Sequence, residues 1–414
     1  MADTVASTVT SAAVPLRRNL RFQAFWAGSA SATLGQAVGD VAYPLAIVTM
    51  TGSPGRAALF SAAAVIGLLA ASLPAGALAD RYDSQRLALA AHAARAAVAC
   101  VVAIALAGGW LSLPLLLVAA ATLGAGQALG SASSVLLLRA IVPAGQLTLA
   151  LTQDEVRING ATLVGPALAG ALYGLRHAAP FAFTAVVFVL AVAATALLRS
   201  GPARPAAPAR AGGDGGMLAG LRELWGQPLL RATALLIMGI NTVGAGLDLV
   251  IIVILRHQGA APWAIGLALG AGAAGGLAGA PLVGFLHRLR PGVLLLAAVG
   301  LEVPVLALLA IPLGPWWAAG LLLVSMLSVP ALRVLADVLV IRQAPPERRG
   351  RVIAALMTLI ALGAPAGLVG CGLLLQYLPA QVAMLALAAA MAAVAGYGLS
   401  RPELRRARWP RAGR

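Results

Sequence analysis

The chain has 414 residues, of which 61% are hydrophobic and only 10% charged. Soluble domains average roughly 45–50% apolar and about 25% charged, so this composition excludes an ordinary soluble globular protein. The net charge of +16 rests on arginine alone: all 29 basic side chains are Arg, which excludes a Walker-A lysine, a lysine Schiff base and a lysine general base.

In chain order, the stretch from Met1 to Leu16 is rich in Ala, Ser, Thr and Val and is followed by Arg17, Arg18 and Arg21. A cleaved signal peptide puts its charges before a short apolar core. Here the apolar run is too long, so the first span is expected to be retained. A membrane-crossing helix needs about 20 mostly apolar residues. That window marks twelve spans, near 24–50, 57–79, 87–108, 112–138, 155–174, 180–198, 229–255, 263–286, 292–311, 315–341, 352–377 and 379–400. Little more than Pro379 divides the last two. The Pro-, Gly- and Ala-rich segment from Ser200 to Gly216 reads as a flexible linker. The expected architecture is an all-α polytopic membrane protein: tail 1–20, six-helix bundle 21–199, linker 200–228, six-helix bundle 229–400 and basic tail 401–414.

The arginines give the orientation. Arg17, Arg18, Arg21, Arg81, Arg86, Arg139, Arg199, Arg204, Arg210, Arg222, Arg288, Arg290, Arg342, Arg348, Arg349 and Arg351 all fall on the side of the termini, as do six more from Arg401 onward. The opposite side has Arg56, Arg176 and Arg256. Both termini are therefore expected in the cytoplasm, with the chain in the cell membrane. The excess of positive charge is a topological label and not a nucleic-acid footprint.

The halves repeat. Pro281 lies 207 residues after Pro74 at the end of the matching span, Asp248 lies 208 after Asp40, and Arg342 lies 203 after Arg139. Duplicated six-helix units related by an axis along the membrane normal are an architecture of secondary transporters.

Charges inside the spans are the sharpest functional pointers, since each costs at least about 2.5–3.5 kcal/mol at the bilayer centre. Asp40 lies deep in span 1, toward the outer half, and Asp248 sits at a comparable depth in span 7. Either carboxyl is a candidate proton carrier or a structural hydrogen-bonding group. Arg333 and Asp337 stand four residues apart in span 10, on one helical face. They are candidates for substrate contact or for mutual neutralisation. Arg95 in span 3 and Glu302 in span 9 share the 207-residue offset with opposite charges. Both are expected to be structural, snorkelling toward the cytoplasmic end.

The span 2–3 connection reads Gly76-Ala77-Leu78-Ala79-Asp80-Arg81-Tyr82-Asp83-Ser84-Gln85-Arg86. This stretch resembles the cytoplasmic-loop signature of the major facilitator superfamily, with Asp83 and Gln85 as departures. The resemblance implies that Asp80, Arg81 and Arg86 form a latch steadying the outward-facing state. A second match lies in span 5, Gly160-Ala161-Thr162-Leu163-Val164-Gly165-Pro166-Ala167-Leu168-Ala169-Gly170. It resembles the glycine-proline signature of proton-driven exporters, with Ala169 replacing one glycine. Span 4 reads Leu123-Gly124-Ala125-Gly126-Gln127 and lacks the arginine many proton-coupled members carry. The start of span 1, Arg21-Phe22-Gln23-Ala24-Phe25-Trp26 and then Gly39-Asp40, looks like the branch of drug, macrolide-efflux and enterobactin exporters. The likeness covers roughly residues 17–400. It implies a cavity lined by spans 1, 4, 7 and 10.

Other patterns carry less. Gly270-Ala271-Gly272-Ala273-Ala274-Gly275 fits a dinucleotide fingerprint, but no strand precedes it. Gly272/Gly276 and Gly275/Gly279 instead make small-xxx-small packing pairs. His92, His177, His257 and His287 are scattered, and Cys100 and Cys371 make no zinc pattern. No Gly-x-Ser-x-Gly elbow occurs.

The expected protein is therefore a secondary transporter and not an enzyme, with no cofactor, metal, nucleotide or nucleic acid. A small amphipathic organic substrate, a drug or secreted metabolite, would leave in exchange for protons, and the protein would act as a monomer in the bilayer. An importer or facilitator of the same fold, and a transport-dead sensor or scaffold, are the alternatives.

Overall fold

The computed structural model describes residues 15–198, 222, 224–286, 288–332, 334, 335 and 349–405, and among these the chain is helical with no strand. The first half contributes α1 (Leu20–Thr51), α2 (Pro54–Arg81), α3 (Ser84–Ala107), α4 (Leu113–Ile141), α5 (Leu147–Leu175) and α6 (Ala179–Ala196). The second contributes α7 (Pro228–His257), which turns at Gly246, then α8 (Pro262–Gly279), α9 (Pro291–Leu309), α10 (Pro315–Met326), α11 (Arg349–Tyr377) and α12 (Ala380–Ser400).

Local chemistry sets these boundaries. Asn19 caps α1 by accepting the Phe22 amide at 3.2 Å, and Ser53 caps α2 by accepting that of Arg56 at 3.4 Å. Proline opens α2, α4 and α6 through α10, where its missing N–H costs no intrahelical bond. Eleven spans among the described residues are long and apolar enough to cross a membrane. The 32-residue α1 is long enough but falls outside that set, made more polar by Ser29, Thr33, Gln36 and Asp40.

Several expected boundaries are corrected. Helix α5 begins at Leu147 and not near 155, because Asp154 and Arg157 neutralise each other within it at 2.6 Å. The span 2–3 connection shrinks to Tyr82 and Asp83, since α2 continues through Arg81 and Asp83 caps α3. The Asp83 carboxylate accepts the Gln85 amide at 2.7 Å and the Arg86 amide at 3.3 Å, which explains an acid at that position. Pro74 sits inside α2, whereas its repeat partner Pro281 lies in a 3-10 turn, Ala280–Leu282, that ends α8. Arg333, Asp337, His287, the 200–221 part of the linker and the tail from 406 lie outside the described residues, as does the side chain of Asp80.

Helices α1–α6 pack on one another, as do α7–α12, and the halves meet along α2 with α11 and α5 with α8. Small residues make these seams. A Cβ on Gly170 would strike the Pro262 carbonyl, and one on Gly266 the Pro166 carbonyl oxygen, so α5 and α8 touch backbone to backbone. At the start of α2, Gly372 of α11 lies against Gly55 and Ala58, and the Ser53 hydroxyl donates to the Gln376 carboxamide at 3.2 Å. Both contacts lie at the end of the molecule away from the termini. Within the second half, Gly275 and Gly279 pack on the backbone of Leu323 and Leu327. Of the other expected pair, Gly272 faces Met326 and Leu322, while Gly276 faces open space. The dinucleotide-like run is thus the inside of a packed helix.

Candidate functional site

One face of α1 carries Ser29, Thr33, Gln36, Asp40 and Tyr43, spaced three or four residues apart so that they stack along the helix. At 1.5 Å per residue, Gln36 lies about 6 Å from Asp40 and Thr33 a further ~4.5 Å on. The Gln36 side-chain amide donates to Asp40 Oδ1 at 2.5 Å. Its carbonyl oxygen in turn accepts a hydrogen bond from Arg95 Nη2 on α3. The Arg95 guanidinium lies 4.1 Å over the Phe188 ring and is only 4% exposed. A buried guanidinium needs such partners, because desolvation without them costs several kcal/mol. Arg95 therefore does not snorkel to a membrane surface: it points into the bundle and reaches Asp40 through a neutral amide.

Asp40 opens onto a cavity of about 370 Å³ lined among the described residues by α1, α2, α4, α6, α7 and α11. Its polar points are Gln36, Asp40, Ser61, Gln127, Thr184 and Asp248, and the remaining wall is largely aliphatic and aromatic. Asp248 reaches it because α7 turns at Gly246, leaving that carboxylate in the first turn of the segment Leu247–His257. Negative charge is favourable there, where free backbone amides point. Gly246 itself packs against Cys371, whose sulfur a Cβ would strike. Tyr43 is held by Phe60, stacked at 4.7 Å, and by Phe181, edge-on at 4.9 Å. Of the expected lining spans 1, 4, 7 and 10, the first three line the cavity. Helices α2, α6 and α11 also contribute, and no described residue of α10 does.

The remaining candidates are dispersed. Glu302 on α9 accepts the Ser325 hydroxyl of α10 at 2.9 Å and lines a cavity of about 70 Å³ inside the second half, away from Asp40. In the α5 signature, Gly165 packs on Ala37 of α1 and Gly170 on α8, Gly160 faces open space, and Pro166 lies within an unbroken helix. Gly76 and Arg81 occupy the last turns of α2, and Arg86 the first turn of α3; a Cβ on Gly76 would meet nothing.

The sequence did not single out Gln36, Thr33, Asp154 and Arg157, and His92 stood out only as one of four scattered histidines. The first two were legible in the i, i+3/i+4 polar stripe leading to Asp40. Arg157 donates to Asp154 at 2.6 Å, to the Ser29 carbonyl at 2.6 Å and to the Thr33 hydroxyl, clasping α5 to α1. These residues and His92 line a second cavity of about 390 Å³ within the first half, which shares Gln36 and Gln127 with the first.

A cavity of 370 Å³ falls in the usual range for small-molecule sites, and its few convergent polar groups in an apolar wall suit an amphipathic ligand. Comparison with known proteins agrees with this reading of the fold. The profile of the Major Facilitator Superfamily matches residues 25–368. The chain is 28% identical over 400 residues to proteins named multidrug efflux pump Tap in Mycobacterium tuberculosis (strain ATCC 25618 / H37Rv) and Mycobacterium bovis (strain BCG / Pasteur 1173P2), covering 90% of this chain and 92% of theirs. Among solved structures it resembles an inward-facing bacterial homologue of the human lysosomal transporter Spinster, with a TM-score of 0.73 and 14% identity over 96% of this chain and 100% of that one. It also resembles the nucleoside transporter NupG, with a TM-score of 0.72 and 14% identity over 92% and 99%.

Proposed function

The chain belongs to the Major Facilitator Superfamily, and on that premise we propose that it exports small amphipathic organic compounds in exchange for protons, by alternating access between its two halves. Membership makes it a multi-pass membrane transporter of small molecules and not an enzyme. The observation that carries the finer reading is the pair of carboxylates, Asp40 and Asp248, on one apolar-walled cavity where the halves meet. Intramembrane acids are costly, and those facing a cavity mark substrate and proton paths. Asp40 is the leading proton carrier, because Gln36 and Arg95 give it a built hydrogen-bonding partner. Outward transport is favoured by the efflux relatives and by the α5 glycines, which let α5 and α8 touch.

The arginine asymmetry supports a cell-membrane protein with cytoplasmic termini. The protein is proposed to act as a monomer. Asp80, Arg81 and Arg86 are proposed as the cytoplasmic latch and the 200–228 segment as the linker. Arg333 and Asp337 are proposed to lie along the substrate path. Inverted vesicles provide the test. Acidifying the vesicle interior should drive accumulation of fluorescent amphipathic compounds, and a protonophore should abolish it. Accumulation driven by the opposite gradient would mark an importer, and equilibration indifferent to pH a facilitator.

A further inference from the structure

Asp40 lines the cavity where the two halves meet, and the Gln36 side chain that donates to it also lines a second cavity. The second, of about 390 Å³, is walled among the described residues by α1, α3, α4 and α5. Its rim at the end bearing the termini includes Phe25 near the start of α1, Arg139 in the last turn of α4 and Leu147 at the start of α5. Its inner end is formed by Gln36, Arg95 and Gln127. Gln36 and Gln127 also line the first cavity, so two carboxamides form the septum between the spaces.

The wall of the second cavity is polar along its length. Asp154 and Arg157 from α5, Ser29 and Thr33 from α1, and His92 and Arg95 from α3 all line it. Two buried atoms there, His92 Nδ1 and Arg95 Nε, have no hydrogen-bond partner among the described residues, although their residues are 5% and 4% exposed. Buried polar atoms in a roomy polar cavity are normally satisfied by water. A space of this size holds several waters, since one needs about 30 Å³ of liquid volume.

We propose that this intrabundle cavity is a water-filled proton route from the cytoplasmic side to Asp40, separate from the substrate cavity. The proposal rests on the reading of Asp40 as the proton carrier. A hydronium reaching the septum gives its proton to the Asp40 carboxylate and leaves as water; the reverse step regenerates the carboxylate. Gln36 is the positioning residue at that step. Its amide donates to the charged carboxylate, and its carbonyl takes the Arg95 proton donor, so the septum senses the charge on Asp40. The charged groups facing this site are Arg95 from α3 and Asp248 from α7, while α2, α4 and α6 present the neutral Ser61, Gln127 and Thr184. A separate route lets protons exchange with the cytoplasm while the substrate cavity is occupied.

Filling one cavity at a time tests this. A Cβ on Gly130, which lines the second cavity, would lie 3.8 Å from His92 Cε1 and 4.0 Å from Ala91 Cβ, both ordinary contacts. Gly130→Leu therefore adds bulk at a residue that lines the second cavity and not the first, and Ser134→Leu is an independent second variant of the same kind. Val65→Phe and Ser61→Leu fill the substrate cavity. The full-length protein in lipid nanodiscs is exposed to a D2O jump, and infrared difference spectra follow the carboxylic-acid carbonyl band that Asp40→Asn removes. The route predicts that Gly130→Leu and Ser134→Leu slow deuteration of that band at least tenfold, that the substrate-cavity variants do not, and that binding of tetraphenylphosphonium shows the opposite pattern. Slowing by the substrate-cavity variants, or unchanged rates in both second-cavity variants, overturns the separate route and leaves Asp40's role standing. If no band in the wild-type protein disappears in Asp40→Asn across the pH range, Asp40 carries no proton and both readings fall.

Discussion

In the first half, the charge on the third helix, Arg95, lines a cavity of about 390 Å³ and is tied to α1 through Gln36, which also lines the cavity of about 370 Å³. In the second half, the charge at the matching place, Glu302, accepts one serine hydroxyl from α10 and lines a cavity of about 70 Å³ walled almost wholly by apolar residues. Duplication has kept the location of an intramembrane charge and reversed its sign. What differs is whether that charge reaches a space large enough for water and ligand. The lesson is that depth in the membrane does not by itself mark a working charge; connection to a cavity does. Helix α3 and its counterpart α9 also begin differently. Asp83 caps α3 with two hydrogen bonds, whereas Arg290 makes no side-chain cap on α9, whose first turn relies on Pro291.

This contrast between halves can be broken at several points. The largest effect is expected from Arg95→Leu, which leaves the Gln36 carbonyl unpaired and strips Asp40 of its indirect counter-charge. A hydrogen bond to a charged group contributes about 1.5–3 kcal/mol, so pH-driven transport should fall by roughly 10–100-fold, with Arg95→Lys recovering part of it. Transport within twofold of wild type in Arg95→Leu would erase the distinction from Glu302. Next comes the seam. Gly266→Ala forces α8 off the Pro166 carbonyl and should destabilise the protein by about 1–3 kcal/mol in thermal unfolding in detergent. Gly276→Ala, ten residues along the same helix, faces open space and serves as the control. Equal stability of the two variants would show that the halves do not close through this contact.

Asp83→Ala removes the α3 cap and should cost about 1 kcal/mol, while Arg290→Ala at the equivalent start of α9 leaves thermal stability unchanged. The smallest effect is predicted for Glu302→Gln. The amide oxygen still accepts the Ser325 hydroxyl, so transport should stay within about twofold of wild type. A loss as large as that of Arg95→Leu would make the second half an equal partner in coupling.

Much of the fold was legible because apolar runs of about 20 residues have few alternatives in a chain this hydrophobic. The deep carboxylates were legible for the related reason that a charge stands out against such a background. Three features were not. The first turns of α5 read as a loop, because Asp154, Glu155 and Arg157 lower the hydropathy. Their polarity is absorbed by the Arg157–Asp154 pair and by α1, which only tertiary placement reveals. Arg95 read as a snorkelling side chain because position along a helix does not say which way a long side chain points. The cavity drew on α2, α6 and α11 because lining depends on how the halves tilt together, which single-helix periodicity does not encode. Gln36 was the nearest miss: its spacing to Asp40 was visible, but a neutral amide carries no warning until its two partners are seen.

The central claim, that Asp40 carries the coupled proton, is tested most directly by separating substrate movement from proton-driven accumulation. Reconstituted Asp40→Asn protein should still exchange labelled for unlabelled tetraphenylphosphonium across the membrane, because the cavity is intact and the carrier is held in its uncharged form. It should fail to concentrate that compound when a pH gradient is imposed. Undiminished accumulation in Asp40→Asn, with the same dependence on the gradient as the wild-type protein, would contradict the account.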